Sequence, residues 1–220
     1  MKLVQFHIPG GGRRLGVVEG GQVLDLGGAG HDSFLSLFAA AGEDMGRLKE
    51  MVESQRSQTP MAYGWAELQH APDPELPHLL MPLDPPEVWG FGVTYKRSAE
   101  ARDADVVKTM DSTASIYDRV YHSDRPECFF KATISRCVGP QGPIGIRGDS
   151  RLTATEPELA YVLGGAGDII GYTVCNDVSA WDLERDNPLY LPQSKIFTGC
   201  CALGPVLVTA DEITDPYNLD

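Results

Sequence analysis

The 220-residue chain is long enough to bury a real hydrophobic core, in one large domain or two small ones. Hydrophobic residues make up 42% and charged residues 22%, an ordinary globular mixture rather than a disordered one. Lys and Arg number 18 against 31 Asp and Glu, a formal charge of −13, which argues against a partner that is nucleic acid or anionic lipid. No apolar run approaches the ~18 residues of a membrane span, and the opening MKLVQFHIPGGGRR holds no signal-peptide core. A soluble, cytoplasmic protein is expected. The five cysteines (Cys128, Cys137, Cys175, Cys200, Cys201) show no CxxC and read as reduced thiols, mostly buried. The five histidines are scattered, which speaks against a histidine-rich zinc site.

In chain order, Lys2 to Ile8 reads as a strand and Pro9 to Gly12 as a turn. Leu15 to Glu19 and Gln22 to Leu26 flank Gly20-Gly21 as a hairpin. From Asp32, a candidate N-cap, Phe34, Phe38, Ala41, Met45, Leu48 and Val52 line one helical face, with Gly42 and Gly46 weakening that helix. These elements form an expected small α+β domain over 1–72. Residues 71 to 86 carry six prolines and read as a stiff, extended connector, so the linker is placed at 73–86. Val88 to Val93 reads as a strand, and Arg97 to about Tyr121 as a helix or broken helix. Strands follow at Cys128 to Lys131, Leu159 to Leu163, Ile169 to Cys175 and Val206 to Thr209, within a catalytic domain over 87–220.

The chemistry concentrates in Glu156-Pro157-Glu158, the glycine segment Gly164 to Gly167, and Asp168 to Asp177. Residues two apart on a strand share a face, so Glu156 and Glu158 point the same way. An even-length hairpin loop pairing Leu163 with Asp168 sets Glu156 against Cys175 and Glu158 against Thr173. Asp177 then joins the two glutamates on one face, whereas an odd-length loop turns it away. Three gathered carboxylates call for a hard divalent cation, Mg²⁺ or Mn²⁺, with water or substrate completing its shell. The ordinary alternative is a solvated strand face.

The sequence resembles the fumarylacetoacetate hydrolase family, a likeness carried by Glu156-Pro157-Glu158-Leu159-Ala160, Gly171-Tyr172-Thr173 and Asn176-Asp177-Val178-Ser179-Ala180. Lys195 in Gln193-Ser194-Lys195 and the later Leu203-Gly204-Pro205 follow in family order. The resemblance implies an α+β, predominantly β fold: a mixed β-roll preceded by the small N-terminal domain. It also implies Glu156, Glu158 and Asp177 as metal ligands, Lys195 as the active-site lysine, and a homo-oligomer. Further strands beyond Asp220 are implied too, so the catalytic domain is expected to be truncated.

Three segments, Pro85 to Gly90, Arg125 to Thr133 and Asn187 to Lys195, point within the family to a sugar-acid dehydratase acting on a 2-oxo acid. Ser98 stands where the family's C–C hydrolases carry a lid histidine, and Trp181 where an arginine is usual. A serine without a partner base activates water poorly, which favours dehydration over hydrolysis. Glu127 and Lys195 are the candidates for moving protons; Thr94 and Lys131 are candidates for the substrate carboxylate. Without the resemblance, Lys195 and Lys131 read as surface ammonium groups, Glu127 as a strand-entry charge and Thr94 as a strand-end hydroxyl. A C–C bond hydrolase, a 2-oxo acid decarboxylase and a non-catalytic relative stand as alternatives.

Overall fold

The computed structural model describes residues 1–27, 30–57, 61–92 and 120–219. Thr94, the Ser98 position and most of the helix expected over Arg97 to Tyr121 lie outside them. The first strand, β1 (Lys2–Ile8), turns through Pro9 to Gly11 into β2 (Gly12–Glu19), which pairs with β3 (Gln22–Asp25). Gly20 and Gly21 both adopt positive φ, 53° and 79°, the backbone that a two-residue hairpin turn demands. The apolar stripe that follows is divided between two helices, α1 (Phe34–Ala40) and α2 (Met45–Arg56). Gly42 and Glu43 at φ 72° and 59° break it. Ser33, one residue after the expected Asp32, caps α1 by accepting from the Ser36 backbone N–H, and Asp44 caps α2 through Arg47.

Strand β4 (Ala62–Gly64) pairs with β3. The proline-rich stretch lies along the sheet: β5 (His78–Leu79) pairs with the second half of β1. Two strands, β6 (Glu87–Gly92) and β7 (Glu127–Thr133), form a separate antiparallel pair. The short β8 (Cys137–Val138) and β9 (Thr153–Ala154) precede the long hairpin β10 (Pro157–Leu163) and β11 (Ile169–Asp177). After β12 (Ser179–Ala180) come two short helices, α3 (Trp181–Asp186) and α4 (Leu191–Lys195), and then β13 (Cys201–Thr209).

The main sheet runs β10-β11-β13-β1-β2-β3-β4. Lys2 pairs with Val208 and Leu3 with Leu207, so one sheet crosses the stretch expected to separate two domains. Alternation along β1 feeds a core on each face. Leu3 joins Phe34, Leu37, Leu48, Val162, Ile170 and Leu207 under the two helices, while Val4 and Phe6 pack with Val23, Leu68 and Leu79. A third cluster, Ala132, Cys175, Cys200, Cys201 and Leu203, sits beneath the far end of β11 and β13. Three of the five thiols are buried, and all five are unpaired as disulfides. No helix of the described residues is long and apolar enough to cross a membrane. The architecture is α+β and predominantly β, as expected.

Candidate metal centre and its lysines

The β10–β11 hairpin sets the acidic groups. Five residues, Gly164 to Asp168, separate the paired Leu163 and Ile169, an odd loop that alone would turn Asp177 away from Glu156. A bulge between Val162 and Leu163 leaves Ile170 unpaired and restores the parity. Beyond it Glu158 pairs with Cys175 rather than Thr173, a register two residues from the expected one. A shift of two leaves every side chain on its face. The Asp177 N–H donates to the Glu156 carbonyl at 2.9 Å, placing these two residues side by side.

Two buried lysines meet them from other elements. Lys195, the last residue of α4, donates to Asp177 Oδ2 at 2.9 Å, Glu156 Oε2 at 3.0 Å and Ser179 Oγ at 2.7 Å. Those are all three hydrogens of an ammonium. Burial works to lower the pKa of Lys195, but Asp177, Glu156 and Glu184 outweigh it, and the net shift is upward. Lys131, on β7, is only 1% exposed. It donates to the carbonyls of Val178 at 2.9 Å and Lys195 at 2.6 Å, and its ammonium lies 2.6 Å from Asp177 Oδ1. Each Asp177 oxygen therefore faces its own lysine.

The structure thus brings together Glu156, Asp177, Lys195 and Lys131. Lys131, a candidate for the substrate carboxylate, is buried against internal oxygens. Glu158 shares the face, two pairs further along the hairpin, opposite Cys175. Glu127 is exposed at the start of β7, on the same strand face as Phe129, while a register shift leaves Lys131 itself unpaired; the Phe129 ring centre is 5.4 Å from the Lys195 ammonium. Sequence reasoning passed over Ser179 and gave Trp181 no role at the acidic groups. The Trp181 indole N–H donates to Glu156 Oε1 at 2.5 Å. Its position just after the Asn-Asp-Val-Ser-Ala run was the available signal. Ser179 sits two residues past Asp177 in that same run.

Among the described residues no three His, Cys, Asp or Glu side chains are placed to hold one ion as they stand. The position between Glu156 and Asp177 is filled by the Lys195 ammonium. The donor set nonetheless fits a hard dication in kind, because it offers carboxylate oxygen alone. Loading requires the Lys195 ammonium to withdraw from Glu156 and Asp177.

Glu156, Glu158 and Asp177 thus lie on one face of the hairpin, and Lys195 from a short helix closes on Glu156 and Asp177. Residues 87–220 match the family model for the fumarylacetoacetate (FAA) hydrolase C-terminal region, and the chain belongs to that family. It is 57% identical over 140 residues to the 2-dehydro-3-deoxy-D-arabinonate dehydratase of Saccharolobus solfataricus, covering 63% of this chain and 46% of that protein. A mitochondrial oxaloacetate tautomerase of Xenopus laevis is 40% identical over 102 residues, covering 41% of this chain and 32% of that protein. The solved structure of 2-keto-3-deoxy-D-arabinonate dehydratase complexed with magnesium and 2,5-dioxopentanoate superposes with a TM-score of 0.71 at 38% identity. That superposition covers 99% of this chain and 69% of the other. The chain spans about half the length of the first of these relatives.

Proposed function

We propose that the protein dehydrates a 2-keto-3-deoxy sugar acid of the arabinonate kind, with Mg²⁺ or Mn²⁺ held by Glu156, Glu158 and Asp177. The observation that carries this reading is the Lys195 ammonium lodged between Glu156 and Asp177. It marks a point where the fold pays for positive charge beside carboxylate oxygen, with a group able to exchange protons next to it. The dehydratase likeness supports the substrate class, since the 2,5-dioxopentanoate in the related structure is a 2-oxo acid of the kind such a dehydration would release.

A bound dication supplies Lewis acidity, polarising the carbonyl of a 2-oxo acid so that its C3 proton becomes acidic. The chain's own residues do the rest. Lys195, freed from its two carboxylates, and Glu127, at the open end of β7, exchange the protons at C3 and at the departing C4 hydroxyl. Phe129 shares the strand face of Glu127 and keeps apolar surface beside Lys195. Thr94 is proposed for the substrate carboxylate. Lys131 is proposed to act from behind, holding Asp177 and the Lys195 backbone, without touching substrate.

A cytoplasmic homo-oligomer is also proposed. Five thiols free of disulfides support the compartment. Exposed Tyr161, Leu163, Ile169 and Val174 on the edge hairpin support self-association. A 1–72 domain, a 73–86 linker and an 87–220 catalytic domain remain the proposed division, with one sheet running through both.

The test is a coupled assay for the 2-oxo semialdehyde formed from 2-keto-3-deoxy-arabinonate in the presence of Mg²⁺. Product formation supports the dehydratase. Turnover of acylpyruvates in its place assigns the scaffold to C–C hydrolysis, and turnover of neither leaves a binding relative.

A further inference from the structure

Trp181 lies at the first turn of α3, at a point where the chain is tied down on several sides. Immediately before it, β12 pairs with β9 through Ser179 with Ala154 and Ala180 with Thr153. The Trp181 N–H donates to the Leu152 carbonyl at 2.9 Å. The next residue, Asp182, accepts from Ser150 Oγ and the Arg151 N–H, both at 2.7 Å. The Arg185 guanidinium stands 5.6 Å from the indole ring centre. From this tethered stretch of backbone the indole points its single N–H at Glu156 Oε1, while Glu156 Oε2 faces Lys195. The Glu156 backbone N–H is itself fixed by Asn176 Oδ1 at 3.1 Å.

We propose that Trp181 is a positioning residue for Glu156: its indole N–H holds one carboxylate oxygen, so that the other is presented toward the cation position. The proposal rests on the reading of Glu156 as a metal ligand. An indole is a neutral donor, so it orients the carboxylate without cancelling the charge that a dication needs. A cationic side chain in its place would hold the same oxygen and compete for the same charge. Outer partners of this kind typically govern ligand geometry and metal affinity.

The experiment compares Mg²⁺ binding by calorimetry for the wild-type chain, Trp181→Phe and Trp181→His, with a thermal melt of each. Loss of the N–H in Trp181→Phe should weaken Mg²⁺ binding roughly 10- to 100-fold. Trp181→His, which restores a ring N–H, should recover most of it. A second measurement does not depend on that variant folding. With Trp65 and Trp89 replaced by Phe, the remaining indole reports on Glu156, and its emission should change on Mg²⁺ addition with the calorimetric midpoint. Wild-type protein that binds no Mg²⁺ overturns both this proposal and the metal reading beneath it. Wild-type binding with equal affinity in Trp181→Phe overturns this proposal alone. So does Mg²⁺ binding that leaves the single indole's emission unmoved, or a Trp181→Phe loss that Trp181→His does not repair.

Discussion

Replacing Lys131 with Met tests how the site is held together. Met approximates the length of the lysine stem, so the change removes the ammonium while leaving little cavity. The carbonyls of Val178 and Lys195 lose their hydrogen-bond donor, and Asp177 Oδ1 loses the ammonium that stands 2.6 Å away as its ion-pair partner. Breaking a buried ion pair from one side costs about 3–5 kcal/mol. Asp177 keeps Lys195 on its other oxygen, which pulls the carboxylate's share toward the lower bound. The two stranded carbonyls push the other way, at roughly 1–3 kcal/mol each if neither finds water. The net expectation is a loss of about 3–5 kcal/mol, a large part of the 5–15 kcal/mol typical of a folded protein. For a chain of this size each kcal/mol moves the melting temperature by roughly 2–4 °C, so Tm should fall by about 6–20 °C. Equilibrium urea unfolding at unchanged m-value is the assay. A loss below about 1 kcal/mol would show that the ammonium is not committed to these oxygens, and the reading of Lys131 as an internal support would be refuted.

Two further outcomes follow from packing and charge. A Cβ on Gly171 would meet the Val208 carbonyl at 2.7 Å and Leu207 Cδ1 at 2.9 Å, so Gly171→Ala should cost about 1–3 kcal/mol by urea unfolding; a neutral result would contradict the close β11–β13 approach. The hydrogen bond from Lys49 holds the Asp211 carboxyl down to about 2, below its ordinary 3.8. A depressed carboxyl stabilises the fold above its unfolded value and loses that contribution as pH falls toward 2. Asp211→Asn should therefore flatten the fall of Tm between pH 4 and pH 2, by a small amount because the pair is exposed; an unchanged profile would contradict the assignment.

The elements legible in the sequence were those with local signals. The β2–β3 hairpin announced itself through Gly20-Gly21, and the strands through alternation. The helical stripe was visible from Phe34 to Val52, and its break fell at Gly42, one of the two weak points identified. Asp32 and Ser33 are both competent caps, and only the helix's final register separates them. Pairing of β1 with β13 joins residues about 200 positions apart and leaves no local trace, which is why the proline-rich stretch read as a boundary in a sheet that is continuous. The short α3 and α4 are too brief to show a period.

The acidic face was legible because side-chain direction depends only on parity. The loop turned out odd, and the bulge at Ile170 restored what an even loop would have given. Burial of Lys131 was not legible, since its partners Val178 and Lys195 contribute backbone carbonyls, which every residue has.

The central claim is that Glu156, Glu158 and Asp177 share one divalent ion that takes the place now held by the Lys195 ammonium. Anomalous scattering from a crystal of the protein grown with Mn²⁺ tests it most directly. A single strong peak bounded by those three carboxylates, with the Lys195 side chain withdrawn, is the predicted result. Lys195 still bridging Glu156 and Asp177, with no manganese between them, would contradict it.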